Sequence, residues 1–158
     1  MVRELYLANN FLKRAFKSVN LKEKITPMKL QKLLYLTYKH YLKSTNSPLF
    51  SERFEVWAYG PVLGTIYRQF KKYGGESIDA YYVDEDHSIY TIDEESDGIL
   101  SAAINYVWEN YSEYTGPELS CLTHQPDTAW HKADARNDYT LDDNEIQVER
   151  WYIIARGE

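Results

Sequence analysis

Cysteine is almost missing from this chain. Cys121 stands alone among 158 residues, so neither an internal disulfide nor a four-cysteine zinc ribbon can form, and a reducing cytoplasm is the expected setting. No apolar run approaches the roughly 18 residues that a membrane helix needs. The opening MVRELYLANN lacks the apolar core of a secretory signal. Phosphate-cradling glycine loops, the G-x-S-x-G elbow, H-E-x-x-H and the twelve-residue calcium loop with its central glycine are all missing. With them go the nucleotide, serine-hydrolase, zinc-protease and EF-hand readings. Neither an internal repeat nor a low-complexity tract is found, and no linker is long enough to divide the chain.

What the chain does have is apolar and aromatic mass. Hydrophobic residues make up 44% and aromatics 15%, with 15 Tyr and 4 Trp. That is enough for a buried core in one ordinary domain over residues 1–158. The net charge of −6 hides a division. Residues 1–75 hold 14 Lys and Arg against 4 Asp and Glu, whereas residues 76–158 hold 4 against 20. The plainer reading is that the two halves attract each other across the domain. The alternatives are a basic face for nucleic acid and an acidic face that steers a basic partner.

Apolar spacing predicts a first helix over residues 3–18. Thr26 and Pro27 open a second, with Leu30, Leu33, Leu34, Tyr38, Tyr41 and Leu42 on one stripe and Lys29, Lys32, Lys39 and Lys43 on the solvated side. Phe54 to Tyr59 alternates like a strand. Gly60-Pro61 then reads as a strand-to-helix joint, the helix running to about Tyr73 and stopping at Gly74-Gly75. Ala80–Val83 and Ser88–Ile92 flank a polar turn and predict a hairpin. Another helix follows Glu95, a capping box at Thr115 and Glu118 starts a short one, Asp127 caps a turn through Trp130, and Asp142 or Asp143 starts a last helix reaching Ile153 or Ile154. The fold class is α+β: mainly α-helical, about six helices and one small β-hairpin.

Candidate chemistry is sparse. Cys121 and His124 lie three apart on a helix, yet no group orients the base or holds an oxyanion, so a structural cysteine is the better reading. His124, Asp127 and His131 do not have a specific zinc spacing. No enzymatic activity, metal or cofactor is expected. Seven lysines and arginines in the first two helices suggest a nucleic-acid face, against which stands the acidic balance of the whole chain. For the aromatics of residues 54–70 the first expectation is core. The functional alternative is that Trp57, Tyr59 or Trp130 lines a groove that grips a partner.

Three blocks occur in order. They are Lys29-Leu30-Gln31-Lys32-Leu33-Leu34-Tyr35; then Phe54, Trp57, Tyr59-Gly60-Pro61-Val62 and Tyr67; then Leu119, Leu122-Thr123-His124, Trp130 and Ala133. Together they resemble the Panacea antitoxin domain family, SocA-like and GepA-like proteins of bacterial and phage genomes, over about Met1 to Ala133. The resemblance implies a binding scaffold that neutralises a cognate toxin encoded beside it, in a type II-like toxin–antitoxin pair. In one branch it implies an adaptor that delivers the toxin to an ATP-dependent protease. It singles out Lys29, Lys32, Tyr35, Trp57, Tyr59, Gly60, Pro61, Tyr67, His124 and Trp130 as motif or partner-binding residues. The rival reading is a nucleic-acid-binding regulatory protein of phage or mobile-element origin.

Overall fold

A computed structural model describes residues 1–152. The first apolar stripe forms α1 (Glu4–Lys17), which buries Leu5, Ala8, Phe11, Leu12 and Ala15. Thr26 caps α2 (Pro27–Thr45): its hydroxyl accepts from the Lys29 amide at 3.2 Å, and Pro27 takes the first turn, where its missing N–H costs nothing. The helix stops where Asn46 enters the left-handed region at φ 58°. Helix α2 is the centre of the molecule. It meets α1, the hairpin, and the helices that follow the hairpin, and it is buried on every side along most of its length.

That burial overturns the expectation of a solvated lysine face. Lys29, Lys32 and Lys39 are fully buried, and only Lys43 remains partly exposed. The aliphatic stems fill apolar space while each ammonium finds a backbone oxygen. Lys29 Nζ donates to Ser112 O at 2.6 Å, at the C-terminal end of α4 (Gly98–Tyr111). Lys43 Nζ donates to Gln147 O at 2.6 Å, in the last turn of α7 (Asp143–Val148). Lys24, outside α2, does the same for Ala15 and Ser18 at the end of α1. Carbonyls at a helix C-terminus lack intrahelical donors and carry the negative end of the dipole, so a cation is the natural partner.

The hairpin is real but lies elsewhere than expected. Strands β1 (Glu55–Trp57) and β2 (Gly60–Val62) pair antiparallel, Trp57 opposite Gly60, leaving Ala58 and Tyr59 at the tip. Gly60-Pro61 is therefore the start of a strand, and the next helix, α3 (Gly64–Phe70), begins three residues after Pro61 and passes into a 3-10 turn at Lys71–Tyr73. Residues 139–141 join the free edge of β1, with Val56 N donating to Tyr139 O and Leu141 N to Phe54 O, both at 2.9 Å. Val56 thus spends its N–H away from β2, which is why a proline can sit opposite it.

Residues 80–92 turn back through Asp84 and Ser88 but form no ladder. Two buried amides of α1 take the groups a ladder would use. Asn9 accepts from Tyr82 N through Oδ1 and donates through Nδ2 to both Tyr82 O and Tyr90 O. Asn10 holds both backbone groups of Ile92 at 2.7 and 2.9 Å.

The later helices follow their caps. Asp97 starts α4, the Thr115–Glu118 capping box starts α5 (Gly116–Thr123), and Asp142 starts α7. Thr128, rather than Asp127, caps α6 (Ala129–Ala135), because Asp127 sits at φ 74°. Among the described residues there are seven α-helices where about six were expected; Ile153 and Ile154 lie outside those residues. The two oppositely charged halves do meet. Arg3–Asp84, Arg14–Glu94, Lys22–Glu118 and Lys39–Glu149 all join residues before 76 to residues after it. The acidic cluster before α7 is committed locally: Arg136 pairs with Asp138 and Glu145, Asp142 caps, and Asp143 accepts from Tyr38.

The tightest polar knot is at Glu149. Its carboxylate accepts from Tyr35 OH (2.9 Å), Lys39 Nζ (2.8 Å), Tyr152 OH (2.7 Å) and Ala129 N (2.8 Å), and its side chain is 1% exposed. Trp151 and Tyr152 place their rings over the same ammonium. Burial lowers the pKa of Lys39, and Glu149 offsets part of that. Glu149→Ala should cost about 3–5 kcal/mol, because a buried cation and three other donors lose their acceptor together. Urea denaturation measures this, and a loss under about 1 kcal/mol would show that the knot does not hold the C-terminal segment.

Candidate functional site

The three sequence blocks converge on Gly60. Its φ of +111° is one that a side chain disfavours, and a Cβ there would lie 2.8 Å from Thr123 Oγ1 and 3.3 Å from Lys32 Cε and Nζ. Around it the hairpin backbone is held from three directions. Trp130 Nε1 donates to Trp57 O at 2.8 Å, Ser120 Oγ to Tyr59 O at 2.5 Å, and Lys32 Nζ to Pro61 O at 2.8 Å. Each donor comes from a different helix: α6, α5 and α2. Gln31 adds a fourth hold, its amide accepting from Leu63 N and donating to Leu63 O as a neighbouring strand would.

The clamped hairpin forms one wall of a mainly apolar cleft of about 330 Å³, opposite the first turns of α2. Met28, Gln31 and Lys32 line one side, and Trp57, Tyr59 and Tyr67 the other. Tyr59 is 66% exposed and Tyr67 42%, whereas Trp57 is half-buried with its ring centroid 4.7 Å from that of Tyr67. Trp57 Nε1 donates to Glu55 Oε1 at 2.9 Å, which fixes the indole. Lys32 is the unusual member. It is 1% exposed, its one hydrogen bond among the described residues goes to a neutral carbonyl, and burial alone pulls its pKa down to about 7.

The ten motif residues thus divide. Lys32, Trp57, Tyr59 and Tyr67 line the cleft, and Gly60 and Pro61 shape its wall. Trp130 is 9% exposed and acts from behind, with the His124 ring 5.2 Å from its own. Lys29 and Tyr35 face away, toward α4 and Glu149. Met28, Gln31 and Val62 are cleft residues that sequence reasoning passed over. Gln31 and Val62 stood inside the quoted blocks, but nothing about an amide between two leucine-rich turns says that it faces a strand. Cys121 is exposed, and His124 engages Ser120 O through Nδ1, so among the described residues no hydrogen bond joins thiol and imidazole. No three His, Cys, Asp or Glu side chains gather among the described residues as a metal site requires, and no described helix is long and apolar enough to cross a membrane.

The hydrogen-bonded hairpin thus presents exposed aromatics beside a small, mainly apolar cleft. The family comparison places the whole chain. Residues 30–131, most of the chain, match the family described as "Antitoxin SocA-like, Panacea domain", and the chain belongs to that family. A curated relative, "Antitoxin SocA" of Caulobacter vibrioides (strain NA1000 / CB15N), is 39% identical over 54 residues, covering 34% of this chain and 29% of the relative. The matched region is thus less than a third of that relative's length. No solved structure matches the chain.

Gly60→Val should destabilise the fold by about 1–3 kcal/mol, through the backbone conformation and the approach to Thr123 and Lys32. An unchanged melting temperature would contradict this. Lys32 makes a second prediction, about pH. The folded amine loses its proton near pH 7 and the unfolded one near 10.5. Between those values the unfolded chain binds more protons, so stability rises with pH, by up to about 1.4 kcal/mol per unit. Below pH 7 both states are charged and the slope vanishes. Between pH 7 and 9 the denaturant midpoint of the wild type should rise more steeply than that of Lys32→Met, which keeps the other buried lysines; parallel profiles would refute it.

Proposed function

We propose that this protein neutralises a toxin protein encoded beside it by direct contact, acting as one non-catalytic domain. The cleft beside Trp57, Tyr59 and Tyr67 is the contact surface in this reading. The observation that carries it is the convergence of three family blocks on one clamped hairpin whose tip aromatics remain exposed. A side chain needed only for packing would be covered. Tyr59 is not, although its own carbonyl is anchored by Ser120. Tyr and Trp bury much area with few rotors, which suits them as anchors in a binding face.

The nucleic-acid reading is weakened by the same geometry. Lys29 and Lys32, two of the lysines that suggested a basic face, are buried with their ammonium groups on backbone carbonyls. Phosphate binding needs exposed cations that release counterions.

Co-expression tests the reading. The adjacent gene should be toxic alone and harmless with this protein. Tyr59→Ala and Tyr67→Ala should each weaken the purified complex by about 10- to 100-fold with little change in melting temperature. A harmless neighbouring gene, or full protection by the doubly substituted protein, would overturn it.

A further inference from the structure

Most buried cations of this fold are answered for. Lys39 faces a carboxylate, and Lys29 faces the carbonyl at a helix end. Lys32 differs from them. Burial leaves its ammonium with a single hydrogen bond among the described residues, to Pro61 O, although it has three N–H donors. No described carboxylate pairs with it, and it lies in the floor of the cleft. A buried ammonium without a counter-charge is costly, and the cost falls when an anion arrives. Tyr67 and Gly74 both line the cleft, and the stretch between them, outside the lining, exposes Arg68, Lys71 and Lys72. Glu55, next to Trp57, is occupied by the Trp57 indole and the Tyr139 hydroxyl.

We infer that the cleft receives an aspartate or glutamate side chain of a protein partner, flanked by apolar residues, with its carboxylate on Lys32 Nζ and its neighbours against Trp57, Tyr59 and Tyr67. This rests on the reading of the cleft as the contact surface and adds what the partner must carry there. A segment with further acidic residues suits the exposed basic stretch at Arg68, Lys71 and Lys72 better than a lone C-terminal carboxylate does. Lys32 is almost fully covered, so entry requires rim side chains to part, and Met28, with its flexible thioether, lines that rim. A partner that offers glutamine in place of glutamate leaves the ammonium unpaired, so the site discriminates by charge as well as by shape.

The test needs no toxin. The isotope-labelled protein is titrated at about pH 6, where both Lys32 and a glutamate side chain are charged, with acetyl-Leu-Glu-Leu-amide, acetyl-Leu-Gln-Leu-amide and acetyl-Leu-Leu with a free carboxylate. The NMR signals of the Gly60 amide and the Trp57 indole report the cleft. The glutamyl peptide should bind at least about tenfold tighter than the glutaminyl one, a difference of about 1.4 kcal/mol, and Lys32→Met should abolish the preference. Equal binding of the two blocked peptides to the wild type, or no shift with any peptide, overturns the proposal without recourse to a variant. Preference for the free carboxylate overturns it in favour of a chain terminus. A preference that survives Lys32→Met overturns it too. Failure here leaves toxin neutralisation standing, and a harmless neighbouring gene leaves the peptide result standing.

Discussion

The structure depends on bringing the polar side of α2 into the interior. A helix with four lysines, a glutamine and three tyrosines is surrounded by other elements, and its buried donors must find acceptors or cost a few kcal/mol each. The acceptors are supplied by what surrounds it. Lys29 takes the end of α4, Gln31 and Lys32 take the chain just beyond the hairpin tip, and Tyr35 and Lys39 take Glu149. The first sequence block is therefore a row of clamps set along one helix. With Lys39, these clamps fix three distant segments, at Ser112, at residues 61–63 and at Glu149, so α2 determines both the core and the placement of elements around it.

The hairpin benefits most. Two strands of three residues each have little stability alone. Here the backbone carbonyls of Trp57, Tyr59 and Pro61 are held by side chains from three helices, and residues 139–141 cover the other edge. The order of the tip thus comes from behind, which leaves the Tyr59 and Tyr67 rings free to face outward. A surface ordered in advance loses less entropy on binding, which favours the proposed contact role of the hairpin tip. The matched stretch of residues 30–131 contains Gln31, Lys32, Ser120 and Trp130, which hold the hairpin, together with Trp57, Tyr59 and Tyr67, which line the cleft.

Charge is arranged by the same economy. The basic first half and the acidic second half neutralise each other through Arg3–Asp84, Arg14–Glu94 and Lys39–Glu149, of which the last is fully buried. Exposed pairs contribute little to stability, and exposed carboxylates such as Glu95, Glu109 and Glu113 take no part in them. Within the core the exception is Lys32, a covered ammonium beside the apolar cleft with no carboxylate partner among the described residues.

Local chemistry was legible in the amino-acid order. The start of α2 at Thr26-Pro27, the Thr115–Glu118 capping box and the start of the last helix at Asp142 depend on neighbours within a few residues, and the sequence by itself determined them. The mainly helical class followed from apolar periodicity, and the family from three blocks in order. Tertiary structure decided the rest. Periodicity assigns a lysine to solvent because it cannot see Ser112 O or Pro61 O waiting some eighty or thirty residues away. It assigns a ladder to residues 80–92 because it cannot see Asn9 and Asn10 taking those backbone groups first. It could not separate Tyr59, exposed, from Trp130, covered, since both are aromatics in a shared motif. Burial is a property of which surfaces meet. The sequence states each residue's needs, and only the assembled fold shows which distant group meets them.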